Sequence, residues 1–107
     1  MTIQINTDNN LNVHESFGNK LDDLLAKELS RFSEHITRLE VHLSDENGSK
    51  NGLNDKKCLL EARLEGRQPI AVTQVANDYE QAVHGAVGKL KSSLDTILGR
   101  LKDHNRS

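Results

Sequence analysis

The apolar positions of the chain recur with two periods, and the change from one period to the other marks out its elements. Cys58, Leu60, Ala62 and Leu64 alternate with Leu59, Glu61, Arg63 and Glu65, the pattern of a strand with one buried face. Gly66 interrupts the alternation. Ile70 and Val72 then alternate with Ala71 and Thr73, and Pro69 stands at the head of this run, where a missing amide suits an edge strand. Together these two runs predict a hairpin. From Asp78 the period lengthens: Ala82, Val83, Ala86, Val87, Leu90, Leu94, Ile97, Leu98 and Leu101 fall at three- and four-residue steps and predict a long amphipathic helix. Asn77 or Asp78 can cap its start, while Arg100, Lys102 and Arg106 suit the negative pole at its end.

The first half of the chain reads in the same way. Ile3 and Ile5 alternate with Thr2, Gln4 and Asn6, a short strand ended by the turn-forming Asp8, Asn9 and Asn10. From about Glu15, the residues Phe17, Leu21, Leu24, Leu25, Leu29 and Phe32 follow helical spacing, with His14 or Ser16 as caps. Gly18 inside this helix costs roughly 1 kcal/mol relative to alanine. Leu39, Val41 and Leu43, alternating with Glu40, His42 and Ser44, form another strand with one wet face. Residues 45–57, DENGSKNGLNDKK, are dense in turn formers and predict a mobile hairpin loop. The order is β-α-β-β-β-α, an α+β fold. A right-handed crossover puts both helices on one face of a four-stranded sheet. Residues 1–102 form a single domain, with a flexible polar tail at 103–107.

Composition narrows the chemistry. With 107 residues the chain holds one core, and Phe17, Phe32 and Tyr79 are its aromatic residues, too few for a reader that stacks bases on exposed rings. The formal charge of −2 lacks the basic excess of a protein held on nucleic acid by its overall field, so any RNA site must be local. Cys58, the only cysteine, lies on the inward side of its strand and reads as a buried hydrophobe, in keeping with a reducing compartment. No signal peptide or membrane span is legible, and the expected location is the cytoplasm. His14, His35, His42, His84 and His104 form no set with metal-ligand spacing, and Asp22-Asp23 and Asp45-Glu46 read as solvated charge. No phosphate loop, nucleophile motif or paired acid and base is present, so neither catalysis, a cofactor, a metal nor a small-molecule substrate is expected.

The run EARLEGRQPIAV, the following helix with Ala82, Ala86, Lys89-Leu90 and Leu94, and the early pair Asn9-Asn10 resemble the ribosome hibernation-promoting factor (RaiA) family over nearly the whole chain. The resemblance implies a cytoplasmic protein of stress or stationary phase that binds rRNA of the small ribosomal subunit, where messenger and transfer RNA would sit. It would block initiation and preserve idle ribosomes. The chain is similar to the short form, without the additional domain by which long forms pair ribosomes.

In that family, basic residues of the two helices face RNA. The transfer falls here on Lys20, Lys27 and Arg31, one stripe beside the apolar face of the first helix. On the second helix it falls on Lys89 and Arg100 along one flank and Lys91 and Lys102 along the other. Residues 15–34 nevertheless carry three basic side chains against five acidic ones, and residues 78–107 five against four. The resemblance also implies further basic residues, which family members commonly carry where this chain has Gly18 and Leu24 on the first helix and Ser92, Thr96 and Leu98 or their neighbours on the second. Without the resemblance, the same lysines and arginines read as a solvated flank with weak spaced pairs such as Lys27 with Asp23. Two readings therefore stand: a regulator that occupies rRNA, and a protein of the same fold that has lost rRNA affinity and serves as a protein-interaction or stress-associated module. The oligomeric state is left open.

Overall fold

The computed structural model describes residues 1–7, 15–45 and 55–106, with side chains described as far as Leu98 except for Glu15. Its elements are β1 (Thr2–Thr7), α1 (Glu15–Glu28), a 3-10 turn (Ser30–Phe32), β2 (Ile36–Asp45), β3 (Lys56–Leu64), β4 (Ile70–Ala76) and α2 (Tyr79–Arg106). The sheet order is β1-β2-β3-β4, with β1 parallel to β2 and the other two pairs antiparallel. This is the α+β architecture expected from the hydrophobic pattern. Its topology has a further consequence. Two antiparallel steps make β4 parallel to β2, so α1 and α2, each running back from a strand of that common direction, run parallel to each other on the shared face.

Register puts the inward residues in rows. Leu39 lies opposite Ala62, Val41 opposite Leu60 and Leu43 opposite Cys58, and all six are buried. The helices close this face with Leu21, Leu25 and Leu29 from the first half of the chain and Ala82, Val83, Ala86, Val87, Leu90 and Leu94 from α2. Each Leu or Val taken fully from water contributes about 1.5–3 kcal/mol, which makes this single layer between helices and sheet the main source of stability. At Gly85 α2 passes close over a β4 side chain: a Cβ built there would stand 2.5 Å from Cγ of Gln74.

Several local expectations are corrected. The helical spacing through Leu29 and Phe32 does not continue as α-helix: α1 ends at Glu28, Leu29 takes φ −106° and ψ 14°, and the chain tightens into the 3-10 turn. Only residues 33–35 remain in which to reach β2, so the helix must stop while Phe32 still reaches the core. The hairpin loop expected at 45–57 is shorter at both ends, because Asp45 pairs with Lys56 and Ser44 with Lys57 in the ladder. Lys56 Nζ lies 2.9 Å from Asp45 and 3.1 Å from Asp55, whose side chain is buried, and this clamp closes the strand ends. The remainder of that loop, 46–54, together with Asp8, Asn9, Asn10 and His14, lies outside the described residues.

Of the two caps proposed for α2, Asp78 serves: its Oδ1 accepts from the amide of Gln81 at 2.7 Å, and its carbonyl accepts from the amide of Ala82 at 3.1 Å. The backbone of α2 is helical through Arg106, with no glycine or proline after Gly99 to interrupt it. Gly66, at φ 72°, occupies the left-handed conformation that the turn between β3 and β4 requires.

Candidate nucleic-acid interface

The parallel helices bring three of the sequence-predicted cations into one seam. Lys20 of α1 reaches Glu80 in the first turn of α2 at 3.0 Å, Lys91 of α2 lies 3.5 Å from Glu28 at the end of α1, and Arg31 of the 3-10 turn meets Asp95 of α2 at 2.9 Å. Partner numbers rise together along both elements, as parallel axes demand. Arg31 also lies over the Phe32 ring, its guanidinium carbon 4.4 Å from the centroid, which fixes the side chain at the core margin.

The other positions fall elsewhere. Lys89 projects from the opposite flank of α2 and donates to the Thr73 carbonyl of β4 at 2.7 Å. Lys27 is exposed and, among the described residues, has no ion-pair or hydrogen-bond partner. Arg100 and Lys102 belong to the helical backbone of α2, but their side chains lie outside the described residues.

These ion pairs are partly solvated, with side-chain exposures of 61% and 47% for Lys20 and Glu80 and of 59% and 51% for Arg31 and Asp95. Pairs of this kind contribute about 0–1 kcal/mol, so a phosphate oxygen can replace the carboxylate at little energetic disadvantage. The carboxylates nevertheless weaken the field that would draw a polyanion in. Sequence reasoning missed Glu28, Glu80 and Asp95 as partners. The signal was in the element order, which already makes the helices parallel; the offset between them appears only in coordinates.

The open face of the sheet is balanced in a similar way. Arg63 lies 3.4 Å from Glu61 and 3.9 Å from Glu40, while Arg38 lies 3.8 Å from Glu40 and donates to the Gln4 side-chain oxygen. Burial pushes the Cys58 thiol up to about 12, so it stays protonated and unreactive at neutral pH. Among the described residues no three His, Cys, Asp or Glu side chains are placed to hold a metal, and no helix is long and apolar enough to cross a membrane.

Residues 3–102 match the family model described as Sigma 54 modulation protein / S30EA ribosomal protein. The chain belongs to this family. Two solved structures share the S30EA fold seen here. The N-terminal domain of Protein Y from Thermus thermophilus superposes with a TM-score of 0.70 at 20% identity, over 91% of this chain and 99% of the other. A ribosomal subunit interface protein from Coxiella burnetii gives 0.73 at 16% identity, over 92% and 99%. A search of curated proteins gives no match. In this S30EA family member, the described cations of the helical face are thus largely partnered by the chain's own carboxylates.

Proposed function

We propose that the protein is a cytoplasmic, ribosome-associated regulator of translation that lays its two-helix face against rRNA of the small subunit under stress or in stationary phase. The observation that carries this reading is the family match over residues 3–102, which runs from within β1 to within α2 and takes in every element between them. The mechanism is occupancy rather than catalysis. Lys27 meets a phosphate directly, whereas Lys20, Arg31 and Lys91 exchange their carboxylate partners for phosphate oxygens; Lys89, Arg100 and Lys102 extend the contact along α2. Arg31 is held by the Phe32 ring throughout, so it gives up little side-chain freedom when it changes partner.

A second reading draws on the seam itself. Because Lys20, Arg31 and Lys91 are all paired within the chain, a member of this family with weakened rRNA affinity, acting as a protein-interaction or stress-associated module, fits the charge balance. Co-sedimentation with purified small subunits across a salt series separates the two. On the first reading the protein pellets at low salt and is released as salt rises, by about 0.7–0.9 log unit in affinity per decade of salt for each phosphate contacted. Charge reversal at Lys27, Arg31, Lys89 and Arg100 together abolishes pelleting while the circular dichroism spectrum is kept. Pelleting that survives the quadruple change removes the site assignment, and no pelleting at any salt removes the rRNA reading.

A further inference from the structure

The two edges of the sheet are built differently. β4 is blunted: Pro69 precedes it, the Lys89 ammonium occupies the Thr73 carbonyl at 2.7 Å, and the Gln74 amide folds onto the Val75 carbonyl at 3.1 Å. These are the devices that keep a strand edge from pairing with another chain. Among the described residues β1 has none of them. Its six residues, Thr2-Ile3-Gln4-Ile5-Asn6-Thr7, include no charge, no proline and no glycine, and four of the six are β-branched. Among the described residues β1 is bonded on one side only, to β2. Ile3 and Ile5 point to the helix side and pack against the core but stay half-exposed, whereas Leu39 and Val41, their partners on β2, are fully covered.

We propose that the β1 edge is an interaction surface for a second copy of this chain, added antiparallel about a two-fold axis perpendicular to the sheet. The strand is complementary to itself. Residues directly opposite in an antiparallel pair share a face, so only registers that pair even with even and odd with odd are allowed. The register centred on Gln4 places Ile3 against Ile5 of the other copy on the helix side, and Thr2 against Asn6 and Gln4 against Gln4 on the open side. Aliphatic meets aliphatic, amide meets amide, and no charges are opposed within the strand. The product is a continuous eight-stranded sheet with all four helices on one face. α1 already meets α2 through its Lys20 flank; on the other side Gly18, with no atom of the described residues within 4 Å of a built Cβ, presents no side chain to the second α1.

Cysteine scanning on the intact chain tests this. Gln4→Cys puts two thiols directly across the axis, at a Cα separation of about 4.5–5.5 Å that suits a disulfide. The buried Cys58 does not compete. Mild oxidation converts Gln4→Cys to a covalent dimer faster than Val75→Cys on β4. Sedimentation equilibrium of the unmodified protein gives a mass that rises with concentration. Because each copy carries −2, self-association tightens as salt is raised, the reverse of rRNA binding. Gln4→Lys, which opposes two ammonium groups at the axis, weakens association by up to about five-fold. A mass of one chain at every concentration overturns the proposal and leaves the edge to a strand of another protein. Equal crosslinking at Gln4→Cys and Val75→Cys also overturns it.

Discussion

Replacing Glu28, Glu80 and Asp95 with their neutral amides should tighten binding to the small subunit, even though it removes three cross-helix ion pairs. The magnitude follows from the seam. Each carboxylate stands 2.9–3.5 Å from its cation. A phosphate oxygen seated on the far side of that cation lies about 6 Å from the carboxylate, where two like charges repel by about 0.7 kcal/mol in a water-like medium. Three such terms amount to about 2 kcal/mol, or roughly thirty-fold in affinity, at low salt. At physiological ionic strength the Debye length of about 8 Å roughly halves each term, leaving about five-fold. The cost in stability is at most about 1 kcal/mol per exposed pair. The assay is competition for small subunits at two salt concentrations, with thermal denaturation as the control for folding. A folded triple variant that binds no better than the parent, or worse, refutes the view that these carboxylates hold the cations back. Improved binding that is independent of salt refutes the phosphate contacts themselves.

Three further outcomes are expected. Gly85→Ala should stabilise the protein by up to about 1 kcal/mol of helix propensity, because the new methyl meets only the Gln74 side chain, Cγ at 2.5 Å and Cδ at 2.8 Å, which swings aside. In a Gln74→Ala background the gain should be larger, and urea denaturation of the four proteins decides it; a loss of stability with Gln74 present would mean that this side chain cannot move out from under α2. Cys58 should resist alkylation at pH 8 in the folded state and react once urea unfolds the chain, since burial pushes its thiol up to about 12; mass spectrometry that finds native-state labelling at the rate of a free thiol contradicts this. The clamp at the hairpin base fixes a pH window: hydrogen bonds first to Asp45 and then to Asp55 raise the Lys56 ammonium above its ordinary 10.5. A raised folded-state value means that the ammonium's contribution is present below 10.5 and fades as pH climbs through the higher folded value, so the stability curves of the parent and Lys56→Gln should run apart at neutral pH and converge as strong alkali deprotonates Lys56. Convergence near neutrality would exclude the clamp.

The sheet was legible because its burial is regular. Leu39, Val41 and Leu43 face Ala62, Leu60 and Cys58 in rows, and period two in sequence becomes one dry face in space with no special local chemistry needed. The same holds for the stripe on α2, where Ala82, Val83, Ala86, Val87, Leu90 and Leu94 are all buried. Element ends were less legible. Phe32 kept a helical spacing that the backbone abandons at Leu29, because a 3-10 turn and an α-helix can present the same side chain to the core. Asp45, Lys56 and Lys57 looked like loop by composition, but the ladder recruits them once Lys56 is held between two carboxylates.

The candidate site was legible in its cations and illegible in their surroundings, for a physical reason that bears on function. A wheel drawn on one helix orders side chains around that helix alone; it correctly set Lys89 and Lys91 on different flanks of α2, yet it could not say that the flank of Lys91 faces α1 while the flank of Lys89 overhangs β4. The neighbours that decide each ammonium's field come from residues 16, 60, 63 or 64 positions away in sequence. Counting charges gave an acidic excess on the first helix and a thin basic one on the second, but pairing makes the distribution uneven: among the five described cations of the helical face, Lys27 has no partner, Lys89 covers a strand edge, and three are shared with carboxylates. An approaching polyanion therefore meets one ready charge and a row of charges that must first change partner. On the rRNA reading proposed above, such a face would bind weakly at first contact and more strongly once the carboxylates are displaced, so that its affinity would depend on how well an RNA surface follows the seam as well as on how many phosphates it offers.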